Sequence, residues 1–64
     1  MIIKIGDTVK LKNAIVDKEF DYNLPVGLEG SVANILELPD ETLILFHPED
    51  DVRIYAVNVK SVTK

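Results

Sequence analysis

The 64-residue sequence predicts a small all-β domain, and three observations lead to this prediction. Valine, isoleucine and threonine, whose branched side chains favour strands, supply 8 + 7 + 3 = 18 of the 64 residues. No window shows the apolar periodicity of an amphipathic helix. Short apolar segments are instead separated by turn residues along the whole chain. We therefore predict one domain, residues 1–64, built from five short strands as a small barrel or sandwich.

The first half of the chain predicts a strand, a long loop and a second strand. After a turn at Gly6-Asp7, apolar and polar residues alternate over 8–12, which indicates a strand with one solvated face. Residues 13–26 are rich in Asn, Asp and Pro and predict a loop, whose length in so small a domain indicates function. Gly27 and Gly30, which indicate positive φ or close backbone approach, lead into the second strand.

The second half of the chain predicts three more strands, separated by proline-containing or acidic turns and by one short 3₁₀ helix. In chain order these elements are the turn 38–41, the strand 42–46, the turn 47–51, the strand 52–56, the 3₁₀ turn 57–60 and the strand 61–63. The predicted core takes apolar residues from every strand: Ile5, Val9, Leu11, Val32, Ile35, Ile44, Phe46, Ile54, Val57, Val59 and Val62.

Charge is distributed unevenly along the chain. Residues 17–51 hold ten acids and one base, for −9, whereas residues 1–16 sum to +2 and residues 52–64 to +3, which together give the net charge of −4. Such an acidic surface repels phosphate backbones and favours a protein partner with a basic docking face. A simpler interpretation is that the negative charge keeps a small domain soluble.

Two acidic segments with aromatic and apolar neighbours form the predicted partner-binding site. Exposed aromatic side chains in the 13–26 loop would anchor a partner as interface hot spots do. The alternative is that these side chains fold back and plug the open end of a barrel. The predicted site residues are Phe20, Asp21, Tyr22 and Leu24 from the loop, with Glu49, Asp50 and Asp51 from the acidic turn.

A second hypothesis is contact with nucleic acid. In a barrel whose first and last strands are neighbours, the basic residues near the two chain ends would form one strip that could touch phosphate. Tyr55 beside Arg53 is the sole local pairing of an aromatic residue with a base, so this hypothesis is the less favoured one. Its residues are Lys10, Lys12, Arg53, Tyr55, Lys60 and Lys64.

The sequence offers few residues for a catalytic site or a metal site. The sequence contains no cysteine, so disulfides and thiolate metal sites are excluded. His47 is the only imidazole, and beside the acids of 49–51 it lacks the ligand number of a zinc site and the spacing of a calcium loop. Ser31 and Ser61 have no second histidine and no cysteine in the sequence to support nucleophilic chemistry. We expect no catalytic residue, no metal and no cofactor.

The hydropathy pattern predicts a cytoplasmic protein without membrane contact. The longest apolar run, residues 43–46, is far shorter than the ~18 residues that a membrane span needs. The first residues lack the charged start and the cleavage site of a signal peptide.

Short motifs spread over most of the chain carry a family resemblance: Gly6-Asp7-x-Val9, Gly27-x-x-Gly30-x-Val32, a strand ending in Phe46, and Ala56-Val57-x-Val59-x-x-Val62. This pattern resembles the SH3-like barrels, which include KOW-type modules that contact RNA, the ribosome or the transcription machinery. Within that class the chain looks most like the variable subunit of ferredoxin–thioredoxin reductase and the related small peripheral subunit of photosystem I. The likeness runs through Phe20-Asp21 and residues 27–30, 32–33, 35–36 and 43–46.

The resemblance implies a five-stranded SH3-like barrel with a short 3₁₀ turn before the last strand. It also implies a non-catalytic accessory subunit that covers a larger, redox-active partner. The chain departs from the reductase subunits because residues 37–41 are short and the sequence has no tryptophan. The reductase subunits usually have a longer, tryptophan-containing excursion between strands two and three. The docking contacts that the family makes in this excursion therefore do not transfer to this chain.

Overall fold

The computed structural model describes residues 2–64 and has the all-β architecture that the composition predicts. A single-turn 3₁₀ helix, Val59–Ser61, precedes the last strand, close to the predicted position. The strands are β1 (Thr8–Leu11), β2 (Ile15–Asp17), β3 (Tyr22–Leu24), β4 (Glu29–Glu37), β5 (Thr42–Pro48), β6 (Tyr55–Asn58) and β7 (Val62–Thr63).

Five of these strands form one antiparallel sheet in the order β6-β5-β4-β1-β7, and β2 pairs with β3 as a separate hairpin. The first and last strands are neighbours, as expected, with Lys10 opposite Thr63 and Leu11 opposite Val62. Within residues 2–64 the end strands β6 and β7 do not pair with each other, so the sheet is open.

The core lies against one face of the curved sheet. On β1 the inward residues Val9 and Leu11 alternate with exposed Thr8 and Lys10, as a period-two strand requires. Ile44 and Phe46 on β5, which lies between β6 and β4 in the sheet, are fully buried. Burial of a side chain of this size contributes about 1.5–3 kcal/mol. The buried hydrophobic residues of the core, within residues 2–64, are Val9, Leu11, Leu24, Val32, Ile44, Phe46, Tyr55, Val57 and Val62.

The two glycines that lead into β4 have different reasons for being glycine. Gly27 has φ +86°, a conformation that glycine adopts without strain. Gly30 lies where β4 crosses the core: a Cβ atom there would collide with the carbonyl oxygen of His47 and lie 2.8 Å from Cε1 of Phe46. Positive φ and close backbone approach were the two predicted reasons, and each applies to one glycine.

Four residues assigned to the core by sequence are less buried than predicted. Ile5 is 63% exposed because it lies in a turn closed by the Asp7 N–H, which donates to the Lys4 carbonyl. Ile54 is 53% exposed because β6 begins only at Tyr55. Ile35 and Val59 are half-buried and pack against the edge of the core. Leu24 and Tyr55, absent from the predicted set, take part in it instead.

The predicted loop over residues 13–26 is largely a β-hairpin. Strands β2 and β3 pair in the register Ile15↔Leu24, Val16↔Asn23 and Asp17↔Tyr22. The prediction missed it because each strand has only three residues. The fourth main-sheet strand is also displaced, since residues 52–54 precede β6 instead of belonging to it.

Candidate functional site

The tip of the β2–β3 hairpin presents an exposed aromatic ring on an ordered turn. The Asp17 carboxylate accepts hydrogen bonds from the backbone N–H groups of Glu19 and Phe20, at 2.9 and 3.1 Å. Asp21 closes the turn at φ 54°, a left-handed conformation that aspartate tolerates better than most residues. Phe20 is 72% exposed at this turn. The hydrogen bonds of Asp17 thus fix the backbone that holds the Phe20 side chain in solvent.

The base of the hairpin is attached to the main sheet through its second strand. Leu24 is buried in the core. The Tyr22 ring is half-buried and lies against the Tyr55 ring, with centroids 4.7 Å apart and the planes tilted by 52°. Burial, together with the negative charge of Asp17, raises the pKa of the Tyr22 hydroxyl. Tyr22 and Leu24 therefore anchor the hairpin, and Leu24 is not available to a partner.

Asp51 organises the second predicted segment. Its carboxylate accepts hydrogen bonds from the Arg53 backbone N–H at 2.9 Å and from the Tyr55 hydroxyl at 2.7 Å. The Arg53 side chain adds an ion pair at 3.5 Å. Nε2 of His47 donates to the Asp51 carbonyl oxygen at 2.7 Å. These contacts connect Asp51 to His47 on β5 and to Tyr55 at the start of β6.

The hydrogen bonds around Asp51 also set its protonation behaviour. The Arg53 N–H and, after it, the Tyr55 hydroxyl lower the pKa of the Asp51 carboxyl, because both stabilise the charged form. The hydrogen bond that the Tyr55 hydroxyl donates to Asp51 raises the pKa of this hydroxyl, and burial raises it further. The Arg53 guanidinium lies 5.7 Å from the centre of the Tyr55 ring, a cation–π distance.

Tyr55 links the two segments that were predicted as one site. Its ring contacts Tyr22 at the base of the hairpin, and its hydroxyl binds Asp51 at the end of the acidic turn. We call the hairpin tip 17–21 and the turn 49–51 together the acidic surface. Phe20, Asp21, Glu49 and Asp50 are exposed on it, whereas Tyr22 and Asp51 are half-buried at its base.

Sequence reasoning missed the role of Tyr55, which was considered only as a nucleic-acid contact. The spacing Asp51-x-Arg53-x-Tyr55 contains a signal, because an aspartate ending a turn often accepts the N–H two residues later. Nothing local in the sequence indicates the Tyr22–Tyr55 contact, since these residues are 33 positions apart.

The predicted basic strip is divided in the structure. Lys10 and Lys12 lie on and next to β1, and the Lys12 N–H donates to the Ser61 carbonyl, next to Lys60. Lys64 forms an ion pair with Asp7 at 3.1 Å. Arg53 and Tyr55 lie at the other end of the strand order, where Asp51 binds both and Tyr55 is largely buried.

Over residues 2–64, no pocket is present and no three carboxylate or imidazole groups converge as metal ligands. The single helical turn in this part of the chain is far too short to cross a membrane.

Comparison of the chain with protein-family models, with curated proteins and with solved structures finds no significant match. The residues described above are therefore the basis for assigning a function.

Proposed function

We propose that this protein is a non-catalytic, protein-binding accessory subunit that docks through its acidic surface. The observation that carries the proposal is the exposed Phe20 ring on a turn fixed by Asp17. A side chain on backbone that is ordered before binding leaves only its own rotamers to be fixed when a partner covers it, which lowers the entropic cost. Exposed aromatic residues on ordered backbone are the usual anchors of protein interfaces.

The charges around Phe20 define the chemistry of the partner. Asp17, Glu19 and Asp21 surround the ring in sequence, with Lys18 as the one base of the tip. The matching surface is an apolar pocket that accepts the phenyl ring, with lysine or arginine residues at its rim. Opposite charges at the rim would accelerate and orient the encounter more than they would strengthen the final complex.

The link through Tyr55 supports docking by both segments together. Because Tyr22 packs on Tyr55 and Tyr55 binds Asp51, the hairpin and the turn 49–51 share one anchor. A partner that covers Phe20 would thus find Glu49 and Asp50 on a neighbouring ordered turn. Pre-ordering of both segments reduces the entropic cost of forming the interface.

We also propose that the fold is an SH3-like barrel and that the partner is redox-active, as the resemblance to the variable subunit of ferredoxin–thioredoxin reductase implies. The strand order, the pairing of the first and last strands and the 3₁₀ helix before β7 support the SH3-like assignment. In this proposal the partner performs the chemistry, and the present chain covers and stabilises it.

Contact with nucleic acid, in the manner of a KOW-type module, is the alternative that the structure favours less. Arg53 is paired with Asp51 and Lys64 with Asp7, so two bases of the strip already have acidic partners. Tyr55 is largely buried and cannot stack on an exposed base without rearrangement.

Affinity capture from a lysate of the source organism tests the proposal. The wild-type domain, a Phe20→Ala variant and a Val26→Ala control are immobilised, and retained proteins are compared at low and high salt, with and without nuclease. Val26 suits the control because it is an exposed apolar residue outside the acidic surface. We expect one stoichiometric protein on the wild type and on Val26→Ala, with at least about tenfold less on Phe20→Ala.

Two results would contradict the proposal. Equal retention by Phe20→Ala and wild type would show that Phe20 is not an anchor. Retention that disappears after nuclease treatment would favour the nucleic-acid alternative, and loss of binding in a Lys10→Glu/Lys12→Glu variant would then identify the strip. The identity of the retained protein tests the reductase resemblance separately.

A further inference from the structure

Half of the longest strand has a neighbour on one side only. Strand β1 pairs with β4 over Glu29–Ser31, and Val32 exchanges two further backbone hydrogen bonds with Gly6 and Asp7. Beyond this point, residues 34–37 pair with β5 on one side, and no strand of residues 2–64 pairs with their other side. An unpaired edge of this kind is a template for adding a strand.

A β-bulge and a side-chain hydrogen bond mark this edge between Val32 and Ile35. The register of β4 and β5 shifts between Val32 and Asn34, a β-bulge that resets the alternation of the ladder. The Ile35 N–H donates to the side-chain Oδ1 of Asn34, at 2.8 Å. Asn34 thus occupies the donor that a pairing strand would use.

We propose that this edge, residues 33–37, pairs in antiparallel register with the same edge of a second copy of the chain. A twofold axis near Ile35 places each Ile35 opposite the other and each Glu37 opposite Ala33. The Ile35 N–H of each copy would leave Asn34 and donate to the Ile35 carbonyl of its partner. Antiparallel pairing about a twofold axis is self-complementary, so both halves of the contact form together.

The two ends of the edge have complementary apolar side chains. At one end Leu38, 47% exposed, follows β4. At the other end the turn at Ile5 is hydrogen-bonded to Val32 through Gly6, and Ile5 is exposed. In the twofold pairing Leu38 of each copy lies level with Val32 of the other, and so meets its Ile5 turn. The pairing would therefore cover exposed apolar surface at both ends.

The charges of the two ends are complementary as well. The end of β4 and the turn that follows it, residues 37–41, contain three acids and no base. The segment 2–7 at the opposite end contains Lys4, whose side chain is exposed, and Asp7, whose carboxylate is ion-paired with Lys64 at 3.1 Å. Antiparallel pairing brings each acidic turn toward the Lys4 segment of the other copy, whereas a parallel arrangement would bring the two acidic turns together. Charge thus selects the antiparallel, twofold arrangement.

The two end strands of the sheet suit a second copy less well. The last strand, β7, has only two paired residues. Strand β6 is also an end strand, but its Tyr55 ring is covered by Tyr22 of the hairpin. The edge of β4 is the longer and less obstructed template, and it does not use the acidic surface. Its test is therefore independent of the proposed function.

Sedimentation velocity over a wide concentration range tests the proposal with three variants. Leu38→Asp places a charge in the contact, and Val52→Asp makes the same kind of change at a residue that is 95% exposed in the segment between β5 and β6. We expect the dissociation constant of the dimer to rise at least about tenfold for Leu38→Asp and to stay unchanged for Val52→Asp.

Asn34→Ala is expected to change the dissociation constant of the dimer in the opposite direction. Removing the side chain that holds the Ile35 N–H frees the donor for the partner strand, so we expect a severalfold tighter dimer. Folding of each variant is verified by circular dichroism. A general loss of packing would not tighten association, so this variant separates edge pairing from nonspecific effects.

Concentration-dependent amide shifts and hydrogen exchange, measured by NMR, locate the contact. Changes centred on residues 33–37, with slower exchange at Ile35, support the proposal. Changes centred on 55–58 or on the hairpin would overturn it. A wild type and an Asn34→Ala variant that both stay monomeric at the highest concentration would overturn it as well.

Discussion

The main sheet and the β2–β3 hairpin use their phenylalanines in opposite ways. Phe46 is fully buried at the centre of β5, where it packs against Gly30. Phe20 extends into solvent at the hairpin tip. A domain of this size has a net stability of only ~3–5 kcal/mol, so an aromatic residue kept out of the core is a substantial apolar group not used for folding. The comparison separates the part that holds the fold from the part available to a partner.

Truncation of Phe46 should have the largest effect. Phe46→Ala removes a fully buried ring from β5, which lies between β4 and β6, and leaves a cavity in the core. We expect a loss of ~3–5 kcal/mol, about the whole stability of the domain. Circular dichroism with urea titration would then show a largely unfolded chain in buffer. A cooperative transition near the wild-type midpoint would contradict the assignment of Phe46 to the centre of the core.

Enlarging Gly30 tests the same core from the opposite direction. Gly30→Ala places a methyl group against the Phe46 ring and the His47 carbonyl, so we expect a loss of ~1–3 kcal/mol or more from overpacking. Gly6→Ala is the control, because nothing lies within 4 Å of its Cβ position and only its positive φ is strained. A smaller loss is expected there, of about 1 kcal/mol. Equal losses in urea titrations would show that packing at Gly30 is not the cause.

The main sheet was the more predictable of the two regions. Alternation over 8–11 and the apolar run from Leu43 to Phe46 determine strands directly, because burial of one face requires that pattern. Ile54 was misassigned because apolar alternation continues through residues 52–54, where Asp51 binds the Arg53 N–H and delays the start of β6. The hairpin was missed because three-residue strands carry too few alternating positions to be recognised.

The contact between hairpin and sheet should respond to pH through Asp51. Its pKa lies below the ordinary value of 3.8 in the folded chain, so its contribution to stability is complete above about pH 4 and is lost as pH falls through the folded pKa. Asp51→Asn keeps the side-chain shape and removes this titration. We therefore expect thermal melts of Asp51→Asn to depend less on pH below 4 than those of the wild type.

Two comparisons make the pH experiment specific. Asp50→Asn removes the same charge from the neighbouring exposed residue and should keep the steeper wild-type dependence. Some acid sensitivity will remain in Asp51→Asn, because the Lys4 N–H and the Lys64 ammonium also lower the pKa of Asp7. Melting curves for Asp51→Asn that fall as steeply as wild type between pH 4 and 2 would contradict a stabilising role for the Asp51 hydrogen bonds.

Only part of the candidate site could be predicted from the sequence. Acidity and aromatic content indicated both Phe20 and the turn 49–51, because these are local properties of the chain. The burial of Leu24 and the Tyr22–Tyr55 contact depend on how the hairpin folds over the sheet, a long-range arrangement that no local pattern encodes. The same arrangement explains why neighbouring aromatic residues, Phe20 and Tyr22, have different environments.

The smallest effect on stability is expected at Phe20. Because its ring has few contacts in the folded chain, Phe20→Ala should change the free energy of unfolding by less than ~0.5 kcal/mol, whereas Tyr22→Ala removes the ring that packs on Tyr55 and should cost clearly more. Urea titration of the two variants gives the comparison directly. A loss of more than ~1 kcal/mol for Phe20→Ala would show that its ring packs on the domain in solution. Phe20 would then belong to the part that holds the fold, and docking through the hairpin tip would lose its anchor.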